Sequence, residues 1–177
     1  SFIHSTNRNY RHGGDVLMNI NIVCVGRLKE DYWRDACAEY AKRCGAYVNF
    51  KVIEVAEARL SDKPGEKEIS LSLDVEAKLM QPYLNQRSTF NIAMCIEGKQ
   101  LSSVELADTM EQAALRGYGT INFIIGSSFG LAESVKRCSN LCLSISKMTL
   151  PHQLARVVVS EQIYRALSIN NNGKYHK

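Results

Sequence analysis

The sequence contains no long hydrophobic run. None of its apolar stretches approaches the roughly 20 consecutive apolar residues that a membrane-spanning helix needs. Residues 1–17 also lack the apolar core of a signal peptide, and they show neither helical nor strand periodicity. We therefore expect a soluble protein in which residues 1–17 are an appended or poorly ordered extension and residues 18–177 form a single domain.

Clustered cysteines are also missing. The six cysteines are scattered through apolar and helix-like segments, at Cys24, Cys37, Cys44, Cys95, Cys138 and Cys142. Cys138 and Cys142 are the closest pair, but no second pair or nearby histidine completes a zinc site. The pattern favours buried, reduced thiols in a cytoplasmic protein without a structural metal.

Several catalytic patterns are absent as well. The sequence shows no Ser-His-Asp order, no H-x-x-x-H metal pair and no isolated carboxylate dyad, which disfavours hydrolytic and metal-dependent chemistry. The net charge of +4 is compatible with a polyanionic partner such as RNA, but it is too small to demonstrate one.

Strand-like and helix-like segments alternate from residue 19 onward. Apolar or alternating stretches predict strands over residues 19–25, 48–55, 91–96, 121–125 and 141–145. Helical spacing and end signals predict helices over residues 31–44, 66–84, 103 to about 117, 131–138 and 151 to about 169. Glu97, Gly98 and Lys99 are expected to close the third strand, and Ser102 with Glu105 predicts a capping box. This order predicts an α/β fold with a mostly parallel sheet covered by helices on both faces.

Two loops follow predicted strands at the edge where such sheets bind ligands. In the loop from Gly126 to Gly130, the glycines allow a tight turn and close backbone approach, which suits either a ligand or a purely structural turn. The loop at residues 144–152 is either a simple connector or a site whose backbone amides bind an adenine edge or a carboxylate.

The last helix and the tail also allow two interpretations each. Glu161 and Arg165 have i,i+4 spacing, which is more typical of a solvated ion pair than of a catalytic one. The tail is either an inert chain end or an RNA-contacting arm, in which Tyr175 stacks on a base while Lys174 and Lys177 contact phosphates.

Five segments taken together resemble the family of ribosomal large-subunit pseudouridine N3-methyltransferases, of the 23S rRNA methyltransferase H type in the SPOUT superfamily. They are VGRLK at residues 25–29, IGSSFG at 125–130, LSISKMTLPH at 143–152, the stretch 156–166 and YHK at 175–177. Each motif is weak alone, but they occur in order and at family-like spacing across residues 18–177. The family commonly has two consecutive glycines where this chain has Gly126 and Ser127.

The resemblance implies a SPOUT fold with a C-terminal trefoil knot, and a homodimer whose active site is completed by the second subunit. It implies that S-adenosylmethionine is held in the knot by Met94, Gly126, Ile145, Ser146, Lys147, Met148, Thr149 and Leu150. It also implies that the tail residues Tyr175, His176 and Lys177 face the RNA.

The reaction implied is methyl transfer to N3 of a pseudouridine in large-subunit rRNA, on the assembled ribosome. His152 and His176 are both candidates for the general base, while a cationic Arg156 or Lys177 is able instead to favour the imide anion. Two alternatives stay open. One is a non-catalytic ribosome-binding or assembly factor, and the other is a SPOUT methyltransferase that acts on a different RNA.

Overall fold

The computed structural model describes residues 11–12 and 16–177. Its strands are β1 (Arg11–His12), β2 (Val16–Leu17), β3 (Asn19–Val25), β4 (Asn49–Val55), β5 (Thr89–Gln100), β6 (Thr120–Ile125) and β7 (Leu141–Ser144). Its helices are α1 (Asp31–Cys44), α2 (Glu66–Leu84), α3 (Ser103–Leu115), α4 (Glu133–Cys138) and α5 (His152–Asn170). Among the described residues, no helix is both long enough and apolar enough to cross a bilayer.

Five strands form one sheet in the order β4-β3-β6-β5-β7, and every neighbouring pair is parallel. The predicted α/β fold with a parallel sheet is therefore confirmed. The strands β1 and β2 form a separate antiparallel pair that periodicity did not reveal, since each has only two residues. Most of the predicted extension, residues 1–10 and 13–15, lies outside the described residues.

Helices cover both faces of the sheet, as predicted. The apolar side chains of β3 alternate between two clusters, with Ile20 and Ile22 in one and Val23 and Val25 in the other. The first cluster contains apolar residues of α1, α3 and α5, and the second contains residues of α2 and α4. This two-sided burial explains why the strands read as nearly continuous apolar runs.

Three asparagines connect the central strands inside the sheet. The Asn21 amide donates to Asn122 (2.9 Å), and the Asn122 amide donates both to Asn91 (3.0 Å) and to the carbonyl of Tyr83 (3.1 Å). These residues are partners in the strand register of β3, β6 and β5. Because a buried amide is costly without partners, the ladder fixes the register and holds the end of α2 against the sheet.

Two end signals act largely as the sequence predicts. The Ser102 hydroxyl accepts from the Glu105 amide (3.1 Å) while the Glu105 carboxylate accepts from the Ser102 amide (3.1 Å), which completes the predicted capping box. Pro151 lies at the N-cap of α5, one position before the helical residue expected for it.

The third strand of the α/β pattern is longer than predicted. It continues through Glu97, Gly98 and Lys99 instead of ending there, and Leu143 of β7 is the register partner of both Met94 and Lys99. A Cβ atom on Gly98 would lie 2.7 Å from the carbonyl carbon of Cys142, so only glycine fits this close approach to β7. We call residues 95–98, where β5 passes β7 with a shift of register, the crossing segment.

Candidate active site

A cleft of about 330 Å³ opens where β6 and β7 end, beside residues 94–97 in the middle of β5. Seven of the eight residues expected to hold the cofactor line it: Met94, Gly126, Ile145, Ser146, Met148, Thr149 and Leu150. Lys147 is exposed and is not among the lining residues. The structure thus brings the two predicted loops together in one cleft, while cofactor binding by these residues stays a prediction.

The loop from Gly126 to Gly130 is folded tightly on itself. A Cβ atom on Gly126 would lie 2.1 Å from the carbonyl oxygen of Gly130, and the Gly130 amide donates to the Ser127 carbonyl (2.9 Å). Gly130 has a φ of +86°, which favours glycine, whereas Ser127 does not have a positive φ. Serine therefore fits at the position where the resembling family commonly has a second glycine.

The loop that connects β7 to α5 is shaped by its own serines. The Ser144 hydroxyl donates to the Ser146 carbonyl (3.0 Å), and the Ser146 hydroxyl accepts from the Met148 amide (3.0 Å). These local bonds replace regular secondary structure over this stretch. Ile145 and Met148 are left 40% and 79% exposed, and Phe129 of the facing loop is 47% exposed. All three line the cleft, so they give it apolar surface suited to a flat ring.

One ion pair lies in the cleft. The Lys136 ammonium on α4 contacts the Glu97 carboxylate at 2.5 Å and the Glu133 carboxylate at 3.4 Å. Burial lowers the pKa of Lys136, but Glu97 and Glu133 outweigh it and the pKa is raised. The pKa of Glu97 is lowered, chiefly because it accepts the Lys136 hydrogen bond. Both cleft-lining groups are therefore charged at neutral pH.

A buried carboxyl on α2 lies behind the loop from Gly126 to Gly130. Glu76 is 4% exposed, and its Oε2 accepts from the Ala58 amide (3.0 Å). Its Oε1 is buried without a hydrogen-bond partner among the described residues. Burial raises the pKa of Glu76, while the Ala58 amide and the nearby Ser127 hydroxyl oppose the rise more weakly. Glu76 thus links Ala58, in the segment that follows β4, to the loop from Gly126 to Gly130.

The predicted proton-handling residues are not all near the cleft. His152 lines it at the start of α5. Arg156 is 3% exposed, donates to Glu54 (2.7 Å) and to the Gly26 carbonyl (3.2 Å), and does not line the cleft. The guanidinium of Arg156 is committed to a buried ion pair away from this cleft, and the expectation that it favours the substrate anion stays a prediction.

The C-terminal tail packs on α5 away from the cleft of its own chain. The Tyr175 hydroxyl donates to Glu161 (3.1 Å), its ring lies 4.7 Å from that of Tyr164, and the Arg165 guanidinium lies 4.6 Å from its ring centre. Burial, with contributions from Tyr40 and Glu161, raises the pKa of Tyr175 to about 12. Tyr175 therefore stays a neutral hydrogen-bond donor at physiological pH.

The other two tail residues are exposed. A ring nitrogen of His176 lies 3.4 Å from the Arg165 guanidinium, and Lys177 ends the chain. Glu161 and Arg165 form the ion pair expected from their spacing (2.5 Å), and the same carboxylate also holds Tyr175. We call Arg43, Glu161, Tyr164, Arg165 and Tyr175 the tail cluster, since Arg43 also lies over the rings of Tyr164 and Tyr175.

Comparison with known proteins identifies the family. The profile of the family described as "Predicted SPOUT methyltransferase" matches residues 18–176. The chain belongs to this family. Two proteins named Ribosomal RNA large subunit methyltransferase H, from Streptococcus pneumoniae (strain CGSP14) and Streptococcus equi subsp. zooepidemicus (strain MGCS10565), are each 42% identical to it. Each match covers 90% of this chain and the whole length of the relative.

Solved structures share the fold of this SPOUT methyltransferase at low sequence identity. A protein from Bordetella pertussis Tohama I, described as a probable methyltransferase, is 15% identical with a TM-score of 0.55, over 85% of this chain and 96% of its own. A methylase family protein from Neisseria gonorrhoeae is 17% identical with a TM-score of 0.51, over 87% and 85% of the two chains. At this identity the likeness concerns the fold alone.

Several cleft residues of the SPOUT methyltransferase were not predicted from its sequence. The chief ones are Glu97 and Lys136. Glu97 was interpreted as part of a strand end, and Lys136 as part of the short helix predicted over residues 131–138. A charged residue directly after a buried strand was the available signal for Glu97, since ligands bind at that edge of the sheet.

Proposed function

We propose that this SPOUT methyltransferase is a cytoplasmic enzyme that transfers a methyl group from S-adenosylmethionine to N3 of a pseudouridine in large-subunit rRNA. The observation that carries the proposal is the 42% identity, over their whole length, with relatives named Ribosomal RNA large subunit methyltransferase H. The cleft supports it, because it gathers seven of the residues that the resemblance assigns to the cofactor.

The cleft residues fit such a cofactor. Its volume is in the range of small-molecule sites, and its exposed apolar side chains Ile145, Met148 and Phe129 suit a purine ring. The tight loop at Gly126 presents backbone rather than side chain to the cleft. The cofactor supplies an electrophilic methyl group, so the protein needs to hold the two reactants in line and to exclude water.

Removal of the proton from the imide nitrogen requires a general base near the cleft. His152 is the histidine that lines it, which makes this side chain our candidate for the general base. Arg156 is held by Glu54 and Gly26, away from the cleft. His176 lies beside Arg165 outside the cleft of its own chain, so it stays a candidate only for the cleft of a partner subunit.

We further propose that the protein is a homodimer in which each tail serves the cleft of the partner. The tail residues Tyr175, His176 and Lys177 do not line the cleft of their own chain, which leaves its RNA-facing side to be completed by a second copy. The exposure of His176 and Lys177, next to the aromatic Tyr175, supports phosphate contacts by the tail.

A trefoil knot is also part of the proposal. The register of β5 on β7 shifts across residues 95–98, and Leu143 is the partner of both Met94 and Lys99. The chain then continues from β7 into α5, which packs against α1 and α3. This arrangement supports a C-terminal segment threaded beneath the crossing, an exception among folds.

Transfer of labelled methyl groups tests the proposed activity. Purified protein, pretreated with a chelator, is incubated with labelled S-adenosylmethionine and with intact ribosomes, separated subunits or free rRNA that lack the modification. We expect labelling of large-subunit rRNA, most strongly in intact ribosomes. Cofactor binding without label in any substrate would instead favour a non-catalytic ribosome-binding factor, and label in another RNA would favour the other alternative.

A further inference from the structure

We propose that the Lys136–Glu97 ion pair is the subsite for the amino-acid end of the cofactor, with Lys136 binding its carboxylate and Glu97 its ammonium group. This inference rests on the proposed function. Both side chains line the cleft, and they come from different elements, α4 and the crossing segment of β5. Among the lining residues in the described part of the chain, they are the two with full formal charges.

The environment of Lys136 makes the pair suited to a ligand. The Lys136 side chain is 19% exposed, whereas Glu97 is 56% exposed and Glu133 is 73% exposed. Lys136 is therefore the partner that is shielded from solvent. Its charge acts more strongly on groups inside the cleft than the charge of a surface lysine would. Glu97 is held by its ion pair with Lys136 on an exposed segment, so a competing ion is able to displace it.

The chemistry of the ligand matches the charges of the cleft. An α-amino acid carries a carboxylate and an ammonium group on one carbon, so its two charges are spaced much as those of Lys136 and Glu97 are. A zwitterion inserted beside the pair gives a four-charge ring in which each charge has opposite neighbours. Both protein charges then keep a partner, so binding does not leave a charge unpaired in the cleft.

The apolar side chains lie elsewhere in the same cleft. Ile145 and Met148 follow β7, while Lys136 lies on α4 beyond the loop from Gly126 to Gly130. A purine among the apolar residues and an amino acid at the ion pair would thus use the two chemically different parts of one cleft. The ion pair then distinguishes cofactors with an amino-acid end from simple nucleosides.

Binding measurements with three probes test the subsite. We would measure by calorimetry the affinities for S-adenosylmethionine, for decarboxylated S-adenosylmethionine and for 5′-methylthioadenosine, which lacks the amino acid. Lys136→Met and Glu97→Gln should each weaken S-adenosylmethionine about tenfold and leave 5′-methylthioadenosine within about twofold. Lys136→Met should bind decarboxylated S-adenosylmethionine as tightly as the wild-type protein does, because this probe has no carboxylate for Lys136 to bind. Arg137→Met removes the same charge from an exposed position of α4 outside the cleft and should change none of the affinities.

The possible outcomes separate this inference from the proposed function. Wild-type affinity for S-adenosylmethionine in both variants would overturn the subsite while leaving the methyltransferase proposal intact. An equal loss for S-adenosylmethionine and 5′-methylthioadenosine would also overturn it, because the ion pair would then only hold α4 against the crossing segment. Absence of S-adenosylmethionine binding by the wild-type protein would contradict the proposed function itself.

Discussion

Gly126 occupies a backbone position of the cleft where even a methyl group has no space. A Cβ atom there would meet the Gly130 carbonyl at 2.1 Å, so the loop has to open to accept it. We predict that Gly126→Ala weakens S-adenosylmethionine binding by at least about tenfold, measured by calorimetry. Gly65→Ala is the control, since a Cβ atom at Gly65 meets nothing within 4 Å. Equal affinities in the two variants would remove Gly126 from the binding site.

Glu76 gives the stability of the protein a dependence on pH that its position explains. Burial raises the pKa of Glu76 above its ordinary value of 4.5, so the folded state holds this proton to higher pH than the unfolded state does. As the pH rises from 4.5 through the raised pKa, the unfolded state ionises first and stability falls. We predict that the difference between the melting temperatures of Glu76→Gln and the wild-type protein shifts in favour of the variant as the pH is raised from 4 to 7.

Glu68 provides a control of opposite sign on the same helix. Bonds from the amide and hydroxyl of Ser61 lower the pKa of Glu68, so its ionised form stabilises the folded state. That contribution is present above the ordinary pKa and is lost as the pH falls through the lowered one. Glu68→Gln should therefore lose stability relative to wild type over the same rise in pH. If the melting temperatures of the two variants, each relative to wild type, changed with pH in the same direction, the assignment of both pKa shifts would be contradicted.

At the scale of elements, apolar periodicity predicted the bounds of those helices and strands that are determined by neighbouring residues in the sequence. The bounds of α1 and α2 agree with prediction because the apolar spacing that marks each helix is a signal that acts within a few residues. The extension of β5 past Glu97 escaped prediction because it depends on pairing with β7, more than 40 residues further along the chain. Lys136 was missed as a cleft residue for the same reason, since its partner Glu97 lies on that extension.

The tail is the element whose removal should separate cofactor binding from catalysis. Tyr175 belongs to the tail cluster, His176 lies beside Arg165, and none of residues 175–177 lines the cleft of its own chain. We predict that deleting them leaves S-adenosylmethionine binding within about twofold while methyl transfer falls by at least about a hundredfold, because the target base loses its positioning.

Mixed dimers sharpen that experiment. A subunit with an intact tail and the Gly126→Ala change is paired with a tailless subunit whose cleft is intact. Recovery of transfer in the mixture, with none in either parent, is the result expected if each tail serves its partner. Wild-type transfer by the tailless homodimer would show that the tail is an inert chain end.

The segment before Met18 is expected to matter little. We predict that a protein starting at Met18 keeps its melting temperature within a few degrees and its methyl transfer rate within about twofold, because the family profile begins at residue 18. The strand β1 contacts α3, so the measurement also tests whether that contact stabilises the fold. A large loss of both stability and transfer would make these residues an integral part of the domain.

At the scale of the whole molecule, recognition of the family supplied what pattern reading could not. Alternation of strands and helices predicts a parallel α/β sheet, but it fits any strand order. The order β4-β3-β6-β5-β7 and the crossing over β7 follow from contacts between distant segments, such as the Asn21, Asn122 and Asn91 ladder. The cleft depends on that order, since it is lined by residues 94–97 of β5 and by the loops that follow β6 and β7.

The nature of the methylated nucleoside tests the proposed function most directly. Large-subunit rRNA that lacks the modification is treated with the protein and S-adenosylmethionine, digested to nucleosides and examined by mass spectrometry against synthetic standards. We predict a single new product, N3-methylpseudouridine, whose yield falls when the Gly126→Ala variant is used. A methyl group on a ribose hydroxyl or on another base, or no product with the wild-type protein, would contradict the assignment.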